Sequence, residues 1–264
     1  MDTIEAIILG IVQGLTEFLP VASSGHLQIA KALMGVEIEQ NLLFDVTLHA
    51  ATVLSTIVVL WSEVARLLRG LFSRRFNEEQ AYVLKLLLSM IPIGIVGFTL
   101  KDRLDALLES PAILLVVGCM LLVTAALLAF AYYAKPRQKA QLSYRDAFLI
   151  GVAQAVAALP GLSRSGSTIA TGLLLGNRKQ TVAQFSFLMV LAPILGETFL
   201  ELMKGNLGAQ AIGSAPLAAG FVAAVVVGWL ACKFMIEIVK RGKLVWFALY
   251  CAAAGTVSIL SYVL

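Results

Sequence analysis

The chain has 264 residues, of which 59% are hydrophobic and 14% are charged. Soluble domains carry about 25% charged residues, and the apolar character extends along the whole length, so a water-soluble enzyme with one membrane anchor is excluded. The net charge of +4 does not indicate a nucleic-acid partner, because the basic excess of polytopic membrane proteins usually lies in cytoplasmic loops. Residues 1–264 are therefore predicted to form a single, all-helical integral membrane domain.

The residues before the first apolar segment, Ile4–Leu19, do not include the basic residues with which a signal peptide begins. We therefore expect this segment to remain in the protein. It ends at Pro20, and a second short helix is predicted after a polar break, ending at Gly35. Neither half reaches the roughly 20 residues that cross a bilayer. Because a polar break is tolerated in the membrane only where protein or water surrounds it, the pattern predicts a re-entrant helix–loop–helix hairpin.

Six longer apolar runs are predicted to span the membrane. They are Leu42–Trp61, Val83–Leu100, Pro111–Tyr133, Val182–Met203, Ala215–Val239 and Leu244–Leu264. A second broken segment lies between the third and fourth runs; Ala147–Leu159 ends at Pro160, and a short helix follows to Gly176. This pattern predicts a second re-entrant hairpin.

The two broken segments align without a gap when the second is shifted by 141 positions. Identical pairs include Ala6 with Ala147, Gly10 with Gly151, Gln13 with Gln154, Ser24 with Ser165, and Gly25 with Gly166. The chain is thus predicted to contain two repeats, at about 1–135 and 142–264, each a hairpin followed by three transmembrane helices. Since three crossings separate the hairpins, they enter from opposite sides and the repeats have inverted topology.

Loop charges predict the orientation of the protein. Basic loops alternate along the chain with loops that are poorer in basic residues. The basic loops are centred on Arg74, Arg137 and Arg241, and the poorer loops are centred on Glu39, Asp105 and Lys204. The positive-inside rule places the basic loops in the cytoplasm. Both termini are then expected outside the cytoplasm.

Polar side chains are concentrated in the two breaks. Each break precedes a short helix, beginning near Ser23 and near Ser165, whose N-terminus would point toward the middle of the membrane and attract an anion. Arg164 adds a guanidinium suited to phosphate oxygens. The candidate binding residues are Ser24, Gly25, Ser163, Ser165, Gly166 and Thr168. The alternative for the hydroxyl groups is helix capping and packing.

Glu17 and Gln13 lie one helical turn apart in the first apolar segment. An ionisable group in such a run is a functional candidate; alternatively, Glu17 only neutralises Arg164. Gln13 can bond Glu17 or a ligand, and a purely structural role is equally open.

His26 follows Ser23 by one turn and can serve as its general base or as a nucleophile itself. For His49 and Asp45, one turn apart in the first spanning run, we expect hydrogen bonding within the helix bundle. The sequence contains no Walker A loop, dinucleotide fingerprint or G-x-S-x-G elbow. The expected ligand is therefore a phosphate attached to a lipid-soluble group.

These residues resemble the undecaprenyl-diphosphate phosphatase family, the bacitracin-resistance type of bacterial inner-membrane enzyme. Residues 13–26 read QGLTEFLPVASSGH and residues 160–168 read PGLSRSGST, which look like the family's (E/Q)xxxE and PGxSRSxxT signatures. The resemblance covers nearly the whole chain. It implies hydrolysis of undecaprenyl diphosphate to the monophosphate lipid carrier of cell-wall synthesis and inorganic phosphate.

Carried over by position, the resemblance implies a catalytic set of Glu17, Ser23, His26 and Arg164. It also implies help from a divalent cation, Mg²⁺ or Ca²⁺, with Glu17 as a ligand. The chain departs from a common form of the pattern at Gln13, Ala22 and Ser24, where many members have Glu, Ser and Thr. The missing carboxylate argues against a two-carboxylate metal site, and the missing hydroxyl leaves Ser23 as the preferred nucleophile.

The resulting hypothesis is that Ser23, activated by His26, attacks the terminal phosphorus while Arg164 and the two helix N-termini stabilise the phosphoryl oxygens. Direct attack by His26 is the alternative. The polyprenyl tail is expected between spanning helices, in contact with membrane lipid, and a homodimer is left open. The competing hypothesis is a lipid-phosphate transporter or flippase, because inverted repeats whose half-helices meet at mid-membrane describe many carriers.

Overall fold

The computed structural model describes residues 1–36, 42–108, 110–133, 139, 141–196 and 213–263. Within these ranges the chain is helical, apart from turns and one isolated bridge between Lys139 and Asn177. The first half contains α1 (Thr3–Phe18), α2 (Ser23–Leu33), α3 (Leu42–Val59), α4 (Trp61–Leu71), α5 (Glu78–Thr99), α6 (Lys101–Leu108) and α7 (Ile113–Tyr133). The second contains α8 (Tyr144–Val156), α9 (Arg164–Leu174), α10 (Lys179–Met189), α11 (191–196), α12 (Ser214–Arg241) and α13 (Val245–Val263).

Among the described residues, four helices are long and apolar enough to cross a membrane: α5, α7, α12 and α13. They correspond to four of the six predicted crossings, so the prediction of an all-helical membrane protein is confirmed for the described residues. The predicted crossing Leu42–Trp61 ends earlier, because the chain bends by 82° between α3 and α4. Charged residues such as Glu63 and Arg66 make α4 amphipathic rather than apolar throughout.

The remaining predicted crossing, Val182–Met203, lies partly outside the described residues. Its described part is interrupted at Val190, between α10 and α11. Glu39, Arg137 and Lys204, which contribute to the predicted orientation, also lie outside the described residues.

Each broken segment forms two helices. In the first, α1 ends at Phe18 and α2 begins at Ser23; in the second, α8 ends at Val156 and α9 begins at Arg164. Pro20 and Pro160 lie in the breaks, where no helical hydrogen bond is required of them. Each break also contains a residue in the left-handed region, Ala22 with φ of +65° and Gly161 with φ of +88°.

The first helix of each broken segment packs closely on a long helix of the other half, α1 on α12 and α8 on α5. A Cβ on Gly10 would lie 2.4 Å from the carbonyl oxygen of Gly220, and a Cβ on Gly151 would lie 2.3 Å from that of Ser89. Gly10 and Gly151 are equivalent positions of the repeat. Glycine at both positions allows the helix backbones to touch, as in many membrane helix pairs.

We expect Gly151→Ala to lower the melting temperature, because the new methyl group would overlap the backbone of α5. Overpacking of this kind costs about 1–3 kcal/mol. Gly94→Ala is the matched control, since a Cβ there would meet nothing within 4 Å and alanine is the better helix former. Thermal unfolding of both purified variants checks the expectation, and equal melting temperatures would contradict it.

Candidate active site

The two polar breaks lie against each other in the structure. Arg164, the first residue of α9, forms an ion pair with Glu17 near the end of α1. The Ser165 hydroxyl donates to the backbone carbonyl of Leu19 at 3.2 Å, and a Cβ on Gly166 would lie 3.2 Å from Cβ of Pro20. Residues almost 150 positions apart thus form one polar cluster within an apolar helix bundle.

Glu17 is the centre of this cluster, with a side chain that is only 5% exposed. Its Oε1 is paired with Nη2 of Arg164. Its Oε2 accepts hydrogen bonds from Ser23 Oγ at 2.7 Å and from Gln13 Nε2 at 3.2 Å. These partners offset the desolvation of a buried carboxylate, and they place that carboxylate directly on the hydroxyl of the preferred nucleophile.

His26 is held by different partners. Its Nδ1 lies 3.0 Å from the carbonyl oxygen of Ala22, and its Nε2 lies 2.5 Å from the hydroxyl of Tyr250 on α13. Among the described residues, the hydrogen-bond partner of the Ser23 hydroxyl is Glu17 rather than the expected His26. The imidazole is instead engaged by the carbonyl of Ala22, four positions earlier, and by Tyr250.

The N-terminus of α9 is capped by its own sequence. Ser163 is the N-cap residue, and its hydroxyl accepts from the backbone N–H of Gly166 at 3.1 Å. Its backbone N–H donates to the Thr124 hydroxyl on α7 at 3.1 Å. Thr168 donates to the carbonyl of Arg164 at 2.9 Å and is also hydrogen-bonded to Ser186 on α10. The capping and packing alternative therefore describes the geometry of Ser163 and Thr168.

The N-terminus of α2 is more open. Ser24 is exposed, and a Cβ on Gly25 would meet only Val117, at 3.9 Å. By contrast, Ser163, Ser165, Gly166 and Thr168 are all buried. The start of α2 and the Arg164 side chain, which is 31% exposed, are therefore the more accessible parts of the cluster.

A cavity of about 20 Å³ adjoins the Glu17–Arg164 pair, and this volume is enough for one water molecule. Hydroxyl groups line it from several helices; they belong to Thr52, Thr56, Ser165, Thr168 and Ser186. Thr52, Thr56 and Ser186 were not predicted from the sequence. Isolated hydroxyl groups in apolar helices commonly form hydrogen bonds with their own backbone, and Thr56 does so with the carbonyl of Thr52.

Another residue that the sequence did not indicate is Lys31, whose side chain is 2% exposed. Its ammonium lies 2.7 Å from both carboxylate oxygens of Asp45. Asp45 was expected to bond within the bundle, and this pair joins the end of α2 to the start of α3. The pair fixes the short helix that carries Ser23 and His26.

The donor set of the site constrains how a cation can bind. The described residues contain no group of three or more histidine, cysteine, aspartate or glutamate side chains placed to hold a metal ion. Both oxygens of Glu17 already have protein partners, and Gln13 supplies an amide rather than a second carboxylate. This set does not fit a resident metal centre.

Comparisons with known proteins show the family of the chain. The family described as "Bacitracin resistance protein BacA" matches residues 6–257. A protein named undecaprenyl-diphosphatase from Parabacteroides distasonis is 62% identical, with 98% of each chain covered. Proteins of the same name from Bacteroides fragilis and Bacteroides thetaiotaomicron are 60% and 57% identical, with 98% and 99% of each chain covered. The chain therefore belongs to the BacA bacitracin resistance family.

Proposed function

We propose that the protein is an undecaprenyl-diphosphatase of the bacterial inner membrane. It hydrolyses undecaprenyl diphosphate to undecaprenyl phosphate and inorganic phosphate, and so recycles the lipid carrier for cell-wall synthesis. The observation that carries the proposal is the hydrogen bond from Ser23 to Glu17 beside Arg164, where the two breaks meet. The relatives that match nearly the whole chain are named undecaprenyl-diphosphatase, and this name supports the same activity for the protein. The transporter alternative finds no support in those comparisons.

The first chemical step is assigned to Ser23. Its Oγ attacks the terminal phosphorus, its proton passes to Glu17, a serine–phosphate bond forms, and the bond from that phosphorus to the bridging oxygen breaks. Undecaprenyl phosphate leaves. Glu17 rather than His26 is assigned as the base, because its Oε2 is 2.7 Å from Ser23 Oγ and a general base must lie within hydrogen-bond reach of its proton.

Arg164 and the N-terminus of α2 stabilise the phosphoryl oxygens as charge develops. A guanidinium offers a planar, two-pronged donor to phosphate, and the first N–H groups of a helix are free to bind an anion. In the second step, a water molecule attacks the phosphoserine and its hydrogens stay on the released phosphate, while Glu17 returns to the departing Ser23 Oγ the proton that it took in the first step. The serine–phosphate bond breaks, inorganic phosphate leaves, and Ser23 recovers its proton.

A divalent cation, Mg²⁺ or Ca²⁺, is proposed to reach the site on the diphosphate, with Glu17 as its protein ligand. When bound, it would neutralise phosphate charge. The residues of the chain that act on the phosphorus and on the proton in this step are Ser23, Glu17 and Arg164. The experiment that tests the function is phosphate release from undecaprenyl diphosphate by purified protein in detergent, with and without a chelator. Release that depends on the cation is expected, and absence of release under both conditions would contradict the proposal.

We expect Arg164→Lys to reduce turnover by at least about tenfold, which corresponds to roughly 1.4 kcal/mol of transition-state stabilisation. Lysine keeps the positive charge but lacks the planar pair of N–H donors that a guanidinium offers. The variant therefore separates the charge of Arg164 from its two-pronged hydrogen bonding. Steady-state phosphate release by the purified variant checks this, with melting temperature as the control for folding. Turnover near that of the wild type would show that two-pronged hydrogen bonding by Arg164 does not contribute to catalysis.

We further propose that the two broken segments are re-entrant hairpins in inverted repeats, with both termini outside the cytoplasm. The packing of α1 on α12 and of α8 on α5, through equivalent glycines, supports this symmetry.

Cysteine labelling from outside the cell tests this orientation. In a background lacking Cys119, Cys232 and Cys251, we expect Glu39→Cys to react with a membrane-impermeant reagent, because its loop is placed outside. Arg74→Cys is expected to remain protected. Labelling of both positions would rule out the inverted-repeat arrangement.

A further inference from the structure

Tyr250 contacts His26 from the opposite half of the chain and takes part in no step described so far. Its hydroxyl lies 2.5 Å from His26 Nε2, and the two rings stack with centroids 5.7 Å apart and an interplanar angle of 26°. Tyr250 is 47% exposed, so core packing alone does not impose this orientation. The contact joins α13 to the first turn of α2, one turn from Ser23.

The other edge of the imidazole is fixed by Ala22. Because a carbonyl oxygen can only accept, Nδ1 carries the hydrogen that is shared with the Ala22 carbonyl at 3.0 Å. In the neutral imidazole, Nε2 is then unprotonated and accepts from the Tyr250 hydroxyl. Ala22 adopts φ of +65°, a conformation that is uncommon for a residue with a side chain. The ring is therefore held at both nitrogens.

We propose that Tyr250 is a positioning residue for the phosphatase reaction. It holds His26 in one tautomer and one ring orientation beside Ser23, and it covers Nε2 in the resting enzyme. His26 then contributes an oriented imidazole to the phosphate-binding end of α2, while Glu17 remains the partner of the nucleophile. This role rests on the proposed function, but the state of Nε2 can be measured without any substrate.

The test uses Tyr250→Phe, which keeps the stacked ring and removes the hydroxyl. Tyr262→Phe, on the same helix, is the matched control. Two quantities are measured on each purified protein: phosphate release, and the rate at which diethyl pyrocarbonate modifies His26, followed by mass spectrometry. His49, the one other histidine, is the internal reference in each sample.

In Tyr250→Phe we expect modification of His26 relative to His49 to accelerate about fivefold, as an uncovered Nε2 reacts. We also expect kcat to fall about tenfold with KM nearly unchanged, since misplaced groups slow chemistry more than binding. Tyr262→Phe should match the wild type in both measurements. An unchanged modification rate in Tyr250→Phe overturns the inference, and so does faster modification with unchanged kcat. A wild-type protein that releases no phosphate overturns the proposed function instead, while the modification rate still reports on Nε2.

Discussion

Replacing Ser23 with alanine is expected to abolish measurable phosphate release while leaving the binding of the lipid diphosphate largely intact. The hydroxyl is the attacking group, and its removal leaves no oxygen at that position to form the serine–phosphate bond. Arg164 and the N-terminal N–H groups of α2 still hold the diphosphate, so affinity is retained. Release, equilibrium binding and melting temperature of Ser23→Ala together check this outcome.

The three measurements separate catalysis from stability. If Ser23 only began a helix, its loss would cost about 1 kcal/mol of stability, and activity would fall in step with the melting temperature. Ser261→Ala is the control for general loss of a hydroxyl, because Ser261 is exposed and bonds only the backbone of its own helix, at Val257. Retained hydrolysis in Ser23→Ala would move the nucleophile to His26.

Replacing Glu17 with glutamine is expected to lower kcat by at least about 100-fold, the scale of a lost general base. The amide keeps the shape of the side chain and can still accept from the Ser23 hydroxyl, but it cannot take the proton. The change also leaves Arg164 without its counter-charge in a largely buried site, so a lower melting temperature is expected. Rapid-mixing and steady-state phosphate release measure the first effect, and thermal unfolding measures the second.

Two further variants separate the base from the counter-charge. Glu63→Gln removes an acid that pairs with Arg66 at 2.8 Å on α4, away from the cluster, and should leave turnover unchanged. Glu17→Gln combined with Arg164→Gln removes both charges and should recover part of the stability but none of the activity. Stability that does not recover in the double variant would show that Glu17 does not act as the counter-charge of Arg164.

The two broken segments were predictable because their causes are local. Pro20 and Pro160 interrupt apolar runs that are too short to span, and the polar residues that follow need protein partners inside a membrane. The link between Glu17 and Gln13 was also within reach, since residues four apart share a helix face. The ion pair of Glu17 with Arg164 followed from a simpler rule, that a buried charge needs a partner.

Other features depend on tertiary contacts between residues that are far apart in the sequence, and no local sequence pattern indicates them. His26 was paired with Ser23 on helical spacing alone, whereas its partners are the Ala22 carbonyl and Tyr250, more than 200 positions away. The bend after Val59 was missed because an apolar run continues to Trp61, and only the charges further along make α4 amphipathic. Likewise, Thr52 and Thr56 reach the site only through the packing of α3 beside α1.

The most direct measurement of the proposed mechanism is the identity of the phosphorylated residue during turnover. Undecaprenyl diphosphate labelled in its terminal phosphate is mixed with wild-type protein, quenched within the first turnover, and the protein is digested for mass spectrometry. We predict acid-stable label on Ser23, because a phosphoserine survives acid whereas a phosphohistidine does not. Label on His26, or release of labelled phosphate with no label on the protein at any time, would contradict the mechanism.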